Sequence, residues 1–350
     1  MLPENLVLDR STSPKNFDEL MEELATTYCV RHEQTTLEMI RLSADGTVQT
    51  PSGAFQLTRD FLESSANFIG MPKTYAYRIS PELFIENFRR RQAETTAPIT
   101  VCSIGDVAIG LVNDRRSRYR PANTMVVLRE LWKEHQFEFR RASVSYAGVD
   151  VELVRPGLMV EPVVGDTVEI GIAVTNSESG DRQLKASAYS YRLVCTNGAM
   201  MTDDLGVARW PSDPRMTPAG CQRAFLREVT ALCGELASVG KLYRVTFDRP
   251  VPDVAFTNVW RRVNYVLPRG GDPDAVLGIS AEERRGLQEM VRQRDASAPP
   301  ALTRWTVYEV HNRLTHAAHG QPFKVRRGLQ ELGGQFLSYA AEWPPLPSAN

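Results

Sequence analysis

The chain has 350 residues, 42% of them hydrophobic, and 41 Lys and Arg residues nearly balance 42 Asp and Glu residues to give a net charge of -1. This composition is typical of a soluble globular protein with a sizeable core, and it excludes a polycation that coats nucleic acid indiscriminately. Any polyanion site must therefore come from a local cluster of arginines. The five cysteines include no CxxC pair, which argues against a disulfide framework or a zinc ribbon and predicts a reducing, cytoplasmic setting.

The first part of the chain shows short helical patterns around a small hairpin. Ser13-Pro14 predicts the start of a helix, and Asp45-Gly46 predicts a turn between two short strands. Residues Gly53 to Phe68 predict a second helix, which Gly70-Met71-Pro72 ends. Ser80-Pro81 predicts the start of a third helix. We therefore expect a helical layer before the first strong pair of strands.

A basic loop follows the predicted strands Ile99 to Ile104 and Val107 to Val112. It carries four arginines, which are Arg115, Arg116, Arg118 and Arg120. Guanidinium groups this close repel one another unless an anion relieves them, and nucleic-acid phosphates do so with bidentate geometry. Pairing with Asp114 and other carboxylates of the protein is an equally good explanation, and the sequence leaves both open. Asn113 is a second-line candidate beside the loop.

The longest strand patterns flank a turn cluster at residues 176–181 and predict a long hairpin. Its first arm alternates with period two, so one face is apolar and carries Val168, Ile170, Ile172 and Val174. Its second arm places small apolar side chains on one face and a mixed set on the other, namely Lys185, Ser187, Tyr189 and Tyr191. The hairpin therefore has one apolar face for the core and one mixed face.

The mixed face is a candidate surface for a single strand of nucleic acid. Lys185 can contact a phosphate, while Tyr189 and Tyr191 can stack on bases. The alternative is that a helix covers this face and buries the tyrosines. Trp260-Arg261-Arg262 repeats the pairing of an aromatic ring with arginine, so Arg261 and Arg262 are further candidates.

The second arm ends in Arg192 and the turn signal Cys195-Thr196-Asn197-Gly198. Asn and Gly reach left-handed backbone conformations at low cost, so we expect the chain to turn at Asn197-Gly198. The alternative is that Asn197 faces a ligand. Arg192 and Asn197 are therefore second-line binding candidates.

Thr217-Pro218 opens the longest helical pattern of the chain. Its narrow apolar seam includes Phe225, Val229 and Leu236, and we expect it to pack on the central sheet rather than on a second subunit. Leu242 to Phe247 is rich in β-branched and aromatic residues and predicts a strand. The longest apolar runs fall far short of the ~20 residues of a membrane helix, so no membrane association is expected.

No catalytic constellation is visible. The motifs GxGxxG, GxxxxGK(S/T), HExxH and GxSxG are absent. His311, His316 and His319 do not share one helix face, and no cysteine or carboxylate pattern completes a set of ligands. We therefore expect neither a metal nor a cofactor.

Four segments in order resemble the phage- and plasmid-like protein family with domain of unknown function 932. The first contains Ala54, Leu57, Gly70-Met71-Pro72, Tyr75, Pro81-Glu82-Leu83 and Asn87. The second is Asn113-Asp114-Arg115 with Tyr119-Arg120-Pro121, in which Arg116, Ser117 and Arg118 stand as an insertion. The third is Arg192-Leu193-Val194-Cys195-Thr196-Asn197-Gly198, and the fourth contains Tyr308, Asn312, Thr315, His316 and His319. The resemblance implies a mobile-element setting but no activity.

These patterns predict an α+β fold, in which helices flank an antiparallel sheet of consecutive hairpins. The order from residue 143 to 239 resembles the core of Rad52-like single-strand annealing proteins, an analogy at the level of the fold. We expect an N-terminal helix and small hairpin in residues 1–50 and the family-like α+β domain in residues 51–320. A C-terminal helix and tail are expected in residues 321–350.

The first functional hypothesis is a non-catalytic nucleic-acid-binding protein that binds or anneals single-stranded DNA or RNA, as in DNA recombination. An arginine-lined groove would hold the strand, and a homo-oligomer would supply many sites in a row. The second hypothesis is a nucleic-acid-processing enzyme whose carboxylates assemble only in the fold. The third is a structural or regulatory protein whose arginines bind another protein.

Overall fold

The protein has an α+β architecture, as the sequence predicts. The computed structural model describes residues 11–343 except 77, 95–97, 114–120, 178–182, 194–196, 201–205, 212–214, 269 and 295–299. The strands are β1 Ser11–Thr12, β2 Arg31–Thr36, β3 Arg41–Leu42, β4 Thr47–Thr50, β5 Gly53–Leu57, β6 Pro98–Ile104, β7 Val107–Asn113, β8 Glu138–Ser145, β9 Gly148–Val163, β10 Asp166–Asn176, β11 Lys185–Arg192, β12 Asn197–Met200, β13 Val207–Arg209, β14 Pro250–Pro252 and β15 Leu302–Thr306. The helices are α1 Phe17–Ala25, α2 Arg59–Phe68, α3 Lys73–Ala76, α4 Pro81–Glu94, α5 Pro121–Lys133, α6 Pro218–Thr246, α7 Asp253–Val266, α8 Pro273–Leu277, α9 Ala281–Gln293, α10 Val307–Ala317 and α11 Phe323–Ala341.

Consecutive antiparallel hairpins build the larger sheet, whose order is β1-β8-β9-β10-β11-β12, with β13 paired to β11 beside β12. The central pair β10 and β11 sets Ile172 opposite Ala188 and Thr175 opposite Lys185. This register confirms the predicted long hairpin and its two faces. Ile170, Ile172 and Ala188 are fully buried in the main core.

Helix α6 covers the apolar face of the larger sheet. Its seam residues Phe225, Val229 and Leu236 are fully buried, which confirms that the seam packs on the sheet. Helix α6 lies close to the sheet at Gly240 because glycine has no side chain. A Cβ atom there would lie 2.7 Å from Cγ1 of Val160 and 3.4 Å from Cδ1 of Ile170.

Helix α11 joins both sides of the larger sheet. Residues in its second half, such as Leu332 and Phe336, are buried in the main core. Its first half reaches the opposite, polar face, where Arg326 and Arg327 bond to Asp150 and Thr175 of the sheet. Helix α11 therefore limits the solvent exposure of the polar face.

The smaller sheet has the order β2-β6-β7-β5-β4-β3, and α2 packs against β7. Its strands come from both sides of residue 50, and Lys324 of α11 pairs with Asp60 and Glu63 of α2. The predicted segment boundaries at residues 50 and 320 each fall between elements that pack together. The first separates strands of one sheet, and the second detaches a helix that completes the main core.

Three local predictions also differ from the structure. Residues 53–57 are strand β5, paired with β4, and α2 begins only after its N-cap Thr58. Residues 242–246 continue helix α6 instead of forming a strand. Asn197 and Gly198 belong to strand β12, opposite Arg192 and Tyr191, so the chain turns before them.

Candidate functional site

The polar face of the larger sheet carries Tyr189, which lies beneath neighbouring side chains. Tyr189 is fully buried, and its hydroxyl donates a 2.6 Å hydrogen bond to Oε2 of Glu152. Burial, followed by the negative charge of Glu152, raises the pKa of Tyr189 well above its ordinary value. A ring without exposed surface has no free face for stacking on a base, in contrast to the predicted role of Tyr189.

The side chain of Lys185 is also mostly buried and forms an ion pair within the protein. Its Nζ lies 3.2 Å from Oε1 of Glu331 on α11, and only 14% of its side chain is exposed. Burial lowers the pKa of Lys185, and the charge of Glu331 opposes that shift. The predicted phosphate contact by Lys185 is therefore replaced by an ion pair that holds α11 on the sheet.

The carboxylates of the polar face, on Glu152 and Asp150, accept hydrogen bonds from arginine and glutamine side chains. Oε1 of Glu152 accepts hydrogen bonds from Nη2 of Arg141 at 2.6 Å and from Nε2 of Gln330 at 3.1 Å. Oδ2 of Asp150 accepts one from Nη2 of Arg326 at 3.1 Å. Within the described part of the chain, no group of three or more His, Cys, Asp or Glu side chains is arranged to hold a metal ion. The cluster joins the helix to the sheet.

The other predicted residues on described elements stay nearer to solvent. Tyr191 is half-buried, and its ring centroid lies 6.4 Å from that of Tyr189. Arg261 and Arg262 are exposed on α7, where Arg262 donates a hydrogen bond to Oε1 of Gln335. The mixed face is thus divided between a buried part and an edge that remains accessible at Tyr191.

The predicted basic loop, with Arg115, Arg116, Arg118 and Arg120, lies outside the described residues. Asn113 is the last residue of β7, and Asn197 is the first residue of β12. Asn197 is paired in register with Arg192, which brings the two second-line candidates of the third family-like segment side by side.

An open groove of about 730 Å³ lies where the end of β11 meets α8, α10 and the connection between α10 and α11. Most of the side chains that line it are polar or charged, and three are small or aliphatic. The lining residues are Arg192, Ala275, Val276, Glu309, Asn312, Arg313, His316, Ala317, His319 and Gln321. The volume is in the range of ligand-binding clefts. Arg192 comes from the third family-like segment, and Asn312, His316 and His319 come from the fourth.

Helical spacing places the residues of the fourth segment along the groove. Tyr308, Asn312 and His316 follow one another four residues apart, so they form a stripe on one face of α10. His319 follows just after the helix, and both His316 and His319 are exposed. The three histidines do not share one helix face, but the four-residue spacing from Tyr308 through Asn312 to His316 is a sequence signal for this stripe.

Arg192 is held in the groove by two internal contacts. Its Nε donates a hydrogen bond to Oδ1 of Asp166, and its Cζ lies 5.5 Å from the centroid of the Tyr308 ring. Oδ2 of Asp166 and the hydroxyl of Tyr308 are buried, and neither has a hydrogen-bond partner among the described residues. Such atoms mark a place where water or a ligand completes the hydrogen bonding.

A chain of buried hydrogen bonds lies behind Arg192. Nδ1 of His311 is 3.0 Å from the carbonyl of Gly333, so Nδ1 carries the proton and Nε2 accepts from the hydroxyl of Tyr243 at 2.9 Å. Tyr243 in turn accepts from Oγ of Ser190 at 2.7 Å. Burial lowers the pKa of His311 to about 4. All three side chains are buried, so this Ser-Tyr-His chain supports the groove and is closed to a substrate.

Two arginines and one carboxylate, namely Arg192, Arg313 and Glu309, are the charged side chains among the lining residues. Glu309 is the acidic side chain among the lining residues, and its carboxylate accepts hydrogen bonds from Thr306 in a capping box at the start of α10. Arg313 donates to the carbonyl of Leu277 at 2.9 Å and stacks on Trp305, with Cζ 4.1 Å from the ring centroid. Neither contact removes its positive charge.

Comparisons with protein-family models, with curated protein sequences and with solved structures each gave no match. None of the helices in the described ranges is both long enough and apolar enough to span a bilayer.

Proposed function

We propose that the protein binds single-stranded nucleic acid without catalysis, and that the groove between β11, α8 and α10 holds the strand. Arg192, Arg313, His316 and His319 face the phosphates, and Asn312 and Gln321 offer amide groups to phosphate, sugar or base edges. The proposal keeps the mobile-element setting, the annealing role, the cytoplasmic location and the homo-oligomer that the sequence analysis predicts.

The observation that carries this proposal is the meeting of two distant segments in one cationic groove. Both segments resemble parts of the same family, although they lie far apart along the chain. Arg192 and Asn312 nevertheless line the same cleft. A groove that bound an apolar ligand would not need four basic side chains along its wall.

Pre-organisation of Arg192 supports binding of an anion. The carboxylate of Asp166 and the ring of Tyr308 fix its guanidinium, which reduces the side-chain entropy that binding would otherwise cost. The cation keeps N–H groups beyond the one given to Asp166. It can therefore bind a phosphate and keep its internal contact at the same time.

The contacts of the acidic residues favour binding over the enzymatic alternative. Asp150 and Glu152 are bonded to arginine or glutamine side chains, and Asp166 is bonded to Arg192. Carboxylates that activate a metal or a water molecule need a free approach to it. The basic loop at Arg115 to Arg120 and the exposed Arg261 and Arg262 remain predicted extensions of the binding surface.

Addition of negative charge to the groove tests the proposal. In His316→Glu/His319→Glu, each new carboxylate about 5 Å from a phosphate costs about 0.8 kcal/mol in water, so two of them weaken binding roughly tenfold. Both positions are exposed, and the core is left intact. Fluorescence anisotropy with labelled oligo(dT) and oligo(U), across a series of salt concentrations, gives both the affinity and the salt slope.

Ala44→Glu/Gln49→Glu is the control, because it adds two carboxylates at exposed positions of the smaller sheet. We expect its affinity to stay within about twofold of wild type. Equal weakening by both variants would show that only net charge matters, and no weakening by the groove variant would reject the groove. Binding of a protein partner with indifference to nucleic acid would favour the regulatory alternative.

A further inference from the structure

A second surface of the protein combines exposed tyrosines with arginines. Helices α7 and α11 pack antiparallel, because Val266 lies against Gly328 while Arg262 bonds to Gln335. Tyr265 on α7 is 91% exposed and Tyr339 on α11 is 56% exposed. The register places them on either side of the Arg262–Gln335 bond, about 10–15 Å apart along the helix axes.

The exposed face of α7 is uniformly suited to a polyanion. It presents Asn258, Arg261, Arg262 and Tyr265, which helical spacing places on one side of the helix. The acidic residue of α7, Asp253, is buried. No carboxylate of α7 therefore competes with a phosphate for the two guanidinium groups.

Tyr339 stands on a rigid aromatic support. Its ring centroid lies 5.8 Å from that of Trp343, and Trp343 also packs edge-on against Phe336 at 5.9 Å. Nη1 of Arg249 donates hydrogen bonds of 3.0 Å to the carbonyl of Trp343 and to that of Ala340. The exposed ring is thus held in place before any ligand arrives, which lowers the entropic cost of stacking on it.

We infer that a single strand of nucleic acid crosses this surface, with bases stacked on Tyr265 and Tyr339 and phosphates bound by Arg261 and Arg262. Alternation of aromatic rings with cations is how strands are bound without sequence preference. The inference rests on the proposed function and deepens it, because it adds a stacking surface to the electrostatic groove. It also assigns a role to Tyr265 and Tyr339, which sequence patterns did not select.

Removing the rings while keeping the charges tests this inference. Tyr265→Ala/Tyr339→Ala is compared with Tyr265→Phe/Tyr339→Phe in anisotropy titrations with labelled oligo(dT), and circular dichroism checks that each variant is folded. We expect the alanine variant to bind about 25-fold or more weakly, because stacking on each of the two rings contributes about fivefold or more. The phenylalanine variant keeps the stacking faces and stays within about twofold of wild type.

Tyr75→Ala is the control for loss of an exposed tyrosine elsewhere, since Tyr75 is 49% exposed on α3, where the neighbouring Ala76 is buried in the core of the smaller sheet. Its affinity is expected to equal that of wild type. If the alanine double variant binds like wild type while His316→Glu/His319→Glu binds weakly, this inference is overturned and the proposed function stands. If wild type binds no oligonucleotide, the proposed function fails and this surface falls with it.

Discussion

Glu152 offers a sharp test of why the polar face is structural. Glu152 as a whole residue is 1% exposed, and its carboxylate accepts hydrogen bonds from Arg141, Tyr189 and Gln330. The substitution Glu152→Gln keeps the shape but removes the charge and turns one acceptor into a donor that faces other donors. Arg141 then loses its partner in a site where burial alone would lower the pKa of its guanidinium and the charge of Glu152 raises it.

The expected cost follows from the burial of the two partners. Breaking a fully buried ion pair costs about 3–5 kcal/mol. Arg141 keeps 26% of its side chain exposed, so solvent recovers part of that loss, and we expect Glu152→Gln to lower the free energy of unfolding by about 2–4 kcal/mol. The exposed pair of Arg90 and Glu86 supplies the control, and Glu86→Gln should cost below about 0.5 kcal/mol.

Urea unfolding followed by circular dichroism measures both variants under the same conditions. A loss of less than about 1 kcal/mol for Glu152→Gln, or a loss equal to that of Glu86→Gln, would refute the reasoning. The cluster would then be loosely solvated, and Tyr189 and Lys185 would have to be reconsidered as accessible binding residues.

Two further predictions concern the core. Ile172 is fully buried on the apolar face, so Ile172→Ala should lower the unfolding free energy by roughly 2–5 kcal/mol, and a change below about 0.5 kcal/mol in urea unfolding would contradict that burial. His311 stays neutral in the folded protein down to about pH 4, whereas histidine in an unfolded chain takes up its proton near pH 6.5. The free energy of unfolding should therefore fall by up to about 3 kcal/mol as pH decreases from about 6.5 to 4. The unfolding free energy of His311→Gln should fall less steeply over that interval.

The sequence predicted the strand faces well because alternation is a local property. Ile170 and Ile172 are buried where the period-two pattern places them. The predicted strand at residues 242–247 is helical through residue 246, because β-branched and aromatic residues also suit a helix whose side chains are buried. Tyr243 and Thr246 lie in the interior, and the hydroxyl of Tyr243 bonds to His311. Tertiary packing therefore decides the conformation of this segment over local propensity.

The candidate site was less predictable because its parts are distant along the chain. Arg192 and Asn312 were each selected in a motif, but no local pattern shows that β11 and α10 share a groove. The ion pair of Lys185 with Glu331 was equally hidden, since the partner belongs to the last helix. Tyr189 is buried, as the alternative of a covering helix expects for the tyrosines, and Lys185 pairs with Glu331 on α11, whereas Arg261 and Arg262 lie at the surface.

Protection of the groove histidines by a bound strand tests the central claim most directly. Diethyl pyrocarbonate modifies accessible imidazoles, and mass spectrometry reports the extent at each site. His316 and His319 are exposed. His135, which lies far from them in the sequence, is partly exposed and serves as the internal reference. We predict that saturating oligo(dT) slows modification of His316 and His319 severalfold and leaves His135 unchanged. Equal modification of His316 and His319 with and without a bound oligonucleotide would contradict the account.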